Sequence, residues 1–169
     1  MRYSKKILGI CSILLFVFSC KKDTEVIEVK ENIKLVIPNG WPQPEYNFEN
    51  NPLTNEGFEL GRKLFYDPIL SKDNTISCGS CHQQFAAFSH LDHSVSHGVN
   101  SLVGTRNAPA LQNLIWMPDL MWDGGINHLE IQPTAAITNP VEMDETIANV
   151  VLKLQNHTDY PTLFKNAHT

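Results

Sequence analysis

The 169-residue sequence is 42% hydrophobic, 18% charged and 9% aromatic, and its 13 basic against 18 acidic side chains leave a formal charge of −5. That length suits one domain with a core of its own, and the composition excludes collagen, coiled coil, long disorder and a multi-span membrane protein. A net-acidic chain is also a poor general binder of nucleic acid, so no such partner is expected.

Taken in chain order, residues 1–19 read as an export signal. Arg2, Lys5 and Lys6 form the charged start and Ile7–Phe18 the apolar stretch, 12 residues that are too few to cross a bilayer as a helix. Ser19 before Cys20 resembles the cut of a bacterial lipoprotein signal, which implies a lipid anchor on Cys20 and a periplasmic or cell-envelope location. Loss of the signal removes three basic residues and no acid, so −5 becomes −8. Residues 20–51 read as a flexible linker, charged at first and then stiffened by Pro38, Pro42 and Pro44.

A domain is expected over 52–169. Thr54 is the N-cap of a helix with Leu60 and Leu64 on one face, stopped at Asp67-Pro68. Cys78–Phe88 reads as a short helix, and His90–Gly104 as a loop without apolar period. Asp123-Gly124-Gly125 is a turn, and Asn139-Pro140 breaks the chain. Asp144 is the expected N-cap of the clearest helix, whose apolar face is Ile147, Val150, Val151 and Leu154. No β-alternation stands out. The domain is expected to be mostly α, with long loops.

Cys78-Gly79-Ser80-Cys81-His82 is a Cys-x-x-Cys-His motif, the attachment signature of a c-type haem, so the expected fold is a mostly α, c-type cytochrome domain with long loops around one covalent haem. On one helical turn the two sulfurs reach the two vinyl groups of one porphyrin, and His82 reaches the iron from below. A disulfide between cysteines so close would close too short a loop to be a useful staple. A thioredoxin-like pair would want a βαβ context. A zinc site would need two more ligands, for which His90 and His93 are the available donors.

Ordered landmarks extend the motif: Leu60-Gly61-Arg62-Lys63-Leu64-Phe65-Tyr66-Asp67-Pro68, Ile76 to His82, Ser96-His97-Gly98 and Arg106-Asn107-Ala108-Pro109-Ala110-Leu111. They continue through Trp122-Asp123-Gly124, Leu129-Glu130-x-Gln132 and Pro140-Val141-Glu142-Met143. Together they resemble the bacterial di-haem cytochrome c peroxidases and their methylamine-utilisation relatives, and correspond to the N-terminal, peroxidatic half. Family members carry a second haem domain with its own motif; this sequence holds one such motif.

The resemblance implies roles residue by residue. His97 matches a removable sixth iron ligand, with His90 and His93 as lesser candidates on the same loop. Glu142 matches the acid–base glutamate that moves a proton between the peroxide oxygens, and Gln132 a distal glutamine that hydrogen-bonds the bound oxygen. Trp122 matches a tryptophan that passes electrons. Arg106, a planar donor fork, is the best cation for a haem propionate. The function so implied is a haem peroxidase that reduces hydrogen peroxide with electrons from a small carrier such as a cytochrome c. Two alternatives stay open. One is an electron-transfer cytochrome with Met117, Met121 or Met143 as sixth ligand, and the other a related oxidase acting on protein side chains.

Overall fold

The computed structural model describes residues 33–168. The export signal, the Cys20 anchor and the first part of the expected linker lie outside the described residues. Among those described, the regular structure is helical: α1 (Asn55–Tyr66), α2 (Cys78–Cys81), α3 (Gln132–Thr138), α4 (Ile147–Gln155) and α5 (Tyr160–Ala167), with short 3-10 turns between.

Helix α1 starts where Thr54 Oγ1 accepts the Gly57 N–H at 2.9 Å and stops at Asp67, extended as a residue before proline must be. The Asp67 carboxylate then serves twice. One oxygen accepts the Ile69 N–H at 2.9 Å, capping the 3-10 turn Pro68–Leu70. The other accepts the hydroxyl of Tyr160 at 2.6 Å. Tyr160 is completely buried, so this bond seats α5 on α1, and Lys63–Asp159 at 3.0 Å supports it from outside.

The core is Leu70, Ile137, Met143 and Val150, flanked by Leu64, Ile69, Ile76 and Leu154. Helix α4 closes it, but not as expected. Its N-cap is Thr146, whose hydroxyl accepts the Asn149 N–H at 3.2 Å. Asp144 instead sits at a left-handed φ of 48° and pairs with Lys72 at 2.6 Å. Of the four apolar residues expected inward, Val150 is buried and Leu154 packs on the core, whereas Ile147 and Val151 are exposed. Lys153 straps α4 down: its ammonium donates to the Ile69 and Ser71 carbonyls and to Asn74 Oδ1, and meets Glu145 at 2.7 Å.

Two further expectations need correction. The Cys78–Phe88 helix is a single turn, α2, followed by the 3-10 turn Gln84–Ala86, because His82 leaves helical geometry and Ala87 and Phe88 take left-handed φ values of 57° and 58°. The linker also ends sooner than residue 51. Trp41 stacks edge-on against Trp116 with centroids 5.0 Å apart. Trp116 Nε1 donates to the Pro42 carbonyl at 2.9 Å, and the Tyr46 N–H to the Ile115 carbonyl at 3.0 Å. Residues 33–51 are thus laid on the domain rather than free. Three isolated bridges pin the long loops, Gln83 with Ser89, His97 with Val103 and Leu120 with Ile126.

Candidate haem site

Helix α2 is held by its own serines and by a glycine. The Ser77 N–H donates to Ser80 Oγ at 3.1 Å. A Cβ on Gly79 would lie 2.7 Å from the Tyr66 ring, so the Phe65-Tyr66 pair at the end of α1 can press on the turn only because residue 79 has no side chain. Cys78 and Cys81 are free thiols, and burial pushes both above the ordinary thiol pKa, with the Glu142 carboxylate adding to the effect at Cys81.

The chain bends after α2 so that His82 Nδ1 lies 2.8 Å from the Phe88 carbonyl. A carbonyl can only accept, so Nδ1 carries the proton and Nε2 keeps its lone pair, the state a metal-binding imidazole needs. Burial holds the ring below its ordinary pKa, against the opposing pull of the Phe88 and Pro109 carbonyls. His82 is therefore a neutral, oriented donor near pH 7.

Two adjoining cavities, of about 250 and 130 Å³, share the walls Cys81, His82, Gln132, Ala136 and Glu142. Cys78 and Met143 line the smaller one, and Arg106, Met121 and Trp122 the larger. Glu142 is half-buried. Burial pushes its carboxyl above the usual range, more than the Asn139 amide on Oε1 at 3.1 Å draws it down. Gln132, the first residue of α3, donates through Nε2 to Met121 Sδ at 3.6 Å.

A family model for di-haem cytochrome c peroxidases matches residues 55–169. The chain belongs to that family. This peroxidase-family chain is 37% identical over 131 residues to "Methylamine utilization protein MauG" of Methylorubrum extorquens, covering 77% of this chain and 35% of that protein. It is 32% identical over 127 residues to "Cytochrome c551 peroxidase" of Pseudomonas aeruginosa, covering 75% of this chain and 36% of the relative. Among solved structures, a MauG-like protein associated with microbial copper homeostasis superposes with a TM-score of 0.71 at 34% identity, over 80% of this chain and 40% of the other. The chain thus spans little more than a third of these curated relatives. The mostly α cytochrome c-type fold expected from the sequence is the one observed.

Membership in the family implies a c-type haem, and the residues present fit one. Two free thiols one helical turn apart border the cavities, an imidazole oriented through Nδ1 stands beside them, and Phe65, Ile76 and Leu111 supply an apolar wall.

Not every expected residue reaches the cavities. His97 lines neither; its ring lies against that of His93, tilted by 59° with centroids 4.5 Å apart, and its carbonyl faces Cys81 Sγ at 3.6 Å. His90 completes that cluster, its Nε2 3.3 Å from His93 Nδ1. Arg106 Nη1 binds Asp123 at 2.8 Å, which leaves its other N–H groups for a second acceptor. Trp122 is 63% exposed, its Nε1–H donating to the Asn107 carbonyl at 2.8 Å.

Asn107 is the residue whose role sequence reasoning missed. Its amide also donates to the His90 and His93 carbonyls at 3.0 and 3.1 Å, so it ties the histidine loop to Trp122. Nothing in the spacing of a lone asparagine announces partners 14 to 17 residues away. Asn139 does have a signal, the Asn-Pro step. Its Oδ1 accepts the Val141 N–H at 3.1 Å, a local turn that aims its amide at Glu142.

Proposed function

We propose that this chain is a peroxidatic haem domain that reduces hydrogen peroxide with electrons from a small redox protein such as a cytochrome c. One haem c would be held by thioethers from Cys78 and Cys81, by His82 through Nε2 and by Arg106 at a propionate. The haem, when bound, supplies the redox-active iron on which peroxide is reduced. The chain's own residues then orient the substrate and move its proton. Gln132 offers an amide N–H to a peroxide oxygen. Glu142, protonated more readily than an ordinary glutamate, takes the proton from one oxygen and returns it to the other. Trp122, with an exposed indole at the cavity rim, is the path for electrons from a docked donor. His97 would be the removable ligand of the iron, and its ring, tilted against His93, is the group that has to turn.

The observation that carries this reading is that Glu142 and Gln132 share cavity walls with Cys81 and His82, although 50 to 61 positions separate the pairs. The signal-like start supports export to the periplasm or cell envelope with a lipid on Cys20. A specific observation also favours a second reading. Met121 lines the larger cavity beside Gln132, whose Nε2 lies 3.6 Å from the Met121 sulfur, which suits an electron-transfer cytochrome with a thioether ligand on the iron.

The deciding experiment is expression with haem-attachment machinery, a haem-stained denaturing gel, and mixing with peroxide and reduced cytochrome c. One covalent haem and peroxide-dependent oxidation of the cytochrome are expected. A haem-loaded protein that ignores peroxide even after His97→Gly points to the electron-transfer reading, and a colourless zinc protein sinks both.

A further inference from the structure

One carboxylate ties the strap that precedes the domain to the segment that leads into α3. Tyr46 Oη donates to Glu130 Oε1 at 2.6 Å, and Asn51 Nδ2 donates to the same oxygen at 2.9 Å. These partners are 84 and 79 residues apart in sequence. Tyr46 is itself fixed: its N–H binds the Ile115 carbonyl, and its ring meets Phe48 edge-on at 4.7 Å and His128 at 6.4 Å. The strap is pinned again by the Trp41–Trp116 pair. Glu130 therefore meets an anchored partner.

Two residues further on is Gln132. Helix α3 begins there without a side-chain cap, its N-cap being Ile131. What holds its first turn is the segment just before it. The Gln132 and Ile131 N–H groups both donate to the His128 carbonyl, at 3.2 and 3.1 Å, and the Glu130 N–H to His128 Nδ1 at 3.4 Å. An uncapped helix of seven residues has little stability of its own to fix a side chain. The Tyr46–Glu130–Asn51 clamp supplies the missing anchor, and Tyr46 and Asn51 together hold the Glu130 carboxyl below the usual carboxylate range.

We infer that Tyr46 and Asn51 are positioning residues for Gln132, acting through Glu130, so that the strap after the export tether sets the geometry of the peroxide-facing wall. This inference rests on the proposal that Gln132 faces the ligand on the iron. Neither donor touches the cavity; both act by fixing where α3 begins.

The test uses the haem-loaded full chain, with cyanide as the probe of the distal wall. Gln132→Ala, Tyr46→Phe, Asn51→Ala, Glu130→Ala and Glu130→Gln are compared in the His97→Gly background, where the face is open. Gln132→Ala, Tyr46→Phe and Glu130→Ala are each expected to weaken cyanide binding about three- to tenfold, the worth of one net hydrogen bond, and to shift the Soret band of the cyanide complex. Asn51→Ala should show a smaller effect of the same sign. Glu130→Gln keeps an acceptor oxygen and should restore both readouts. Tyr46→Phe combined with Glu130→Ala should be no worse than Glu130→Ala alone. If Gln132→Ala weakens cyanide and neither Tyr46→Phe nor Glu130→Ala does, even with a lowered Tm, the strap is merely structural and the inference fails. If none of the three responds, the Gln132 reading falls and takes the inference with it.

Discussion

Val99 N–H donates to the Glu142 carbonyl at 2.8 Å. This bond ties the loop that carries His97 to the residue expected to handle the proton, two segments joined by no helix or sheet. The next residue back makes the approach possible. A Cβ on Gly98 would clash with the carbonyl oxygens of both Val141 and Glu142, so the glycine of the Ser-His-Gly landmark is required by a backbone contact and not by a turn, its φ being −111°.

Gly98→Ala is therefore expected to cost about 1–3 kcal/mol, as other over-packed sites do, because the clashing atoms are backbone and cannot rotate away. Urea unfolding measures this, and the spectrum of the haem-loaded variant should change with it. A loss below about 0.5 kcal/mol, within the range of an ordinary surface change, would show that the loop lifts off Glu142 freely.

Glu142→Gln removes the proton carrier and keeps the shape. With the face opened by His97→Gly, stopped-flow mixing with hydrogen peroxide should show a reaction about a hundredfold slower than in the single variant. The haem content should not fall. Equal rates would make Glu142 a structural partner of Asn139.

His97→Gly should convert an oxidised, six-coordinate, low-spin haem into a high-spin one. The electronic spectrum and electron paramagnetic resonance report this directly. A low-spin signal that survives would move the sixth ligand to Met121, the thioether residue that lines the larger cavity, or to His90 or His93 in the histidine cluster.

Acid should unfold the domain partly through Glu145, whose side chain is 5% exposed against Lys153 at 19%. Burial raises its pKa, but hydrogen bonds from Lys153, the Thr146 N–H and Asn149 outweigh this and hold it below the ordinary 4.5. A folded pKa below the unfolded one means stability that is full above pH 4.5 and is lost as pH falls through the lower folded value. Urea midpoints between pH 7 and 3 should fall less steeply in Glu145→Gln than in the parent. At pH 7, Lys153→Met should cost about 3–5 kcal/mol by leaving that carboxylate buried without its partner.

Local chemistry made much of this protein legible in the sequence alone. Thr54 caps α1 and Asp67-Pro68 ends it, because capping and proline geometry act within four residues. Cys78, Cys81 and His82 were legible for the same reason, since one helical turn brings them together. The order of the landmarks carried the family.

Tertiary structure decided what lies between distant segments. Asp144 and Thr146 are both good caps by composition, but Asp144 sits at a left-handed φ and pairs with Lys72, whereas Thr146 has the extended backbone a cap needs and accepts the Asn149 N–H. Ile147 and Val151 match the helical period yet face outward, since one narrow face of α4 meets the core. His97 lies against His93 outside the cavities, while Gln132 and Glu142 line them, an assignment that spacing could not make. Helix α3 and the docked strap left no local signal, because their partners, such as Glu130 for Tyr46, stand some eighty positions away. Periodicity reports only what happens within a few turns of chain; which faces meet is set by packing among segments that the sequence keeps apart.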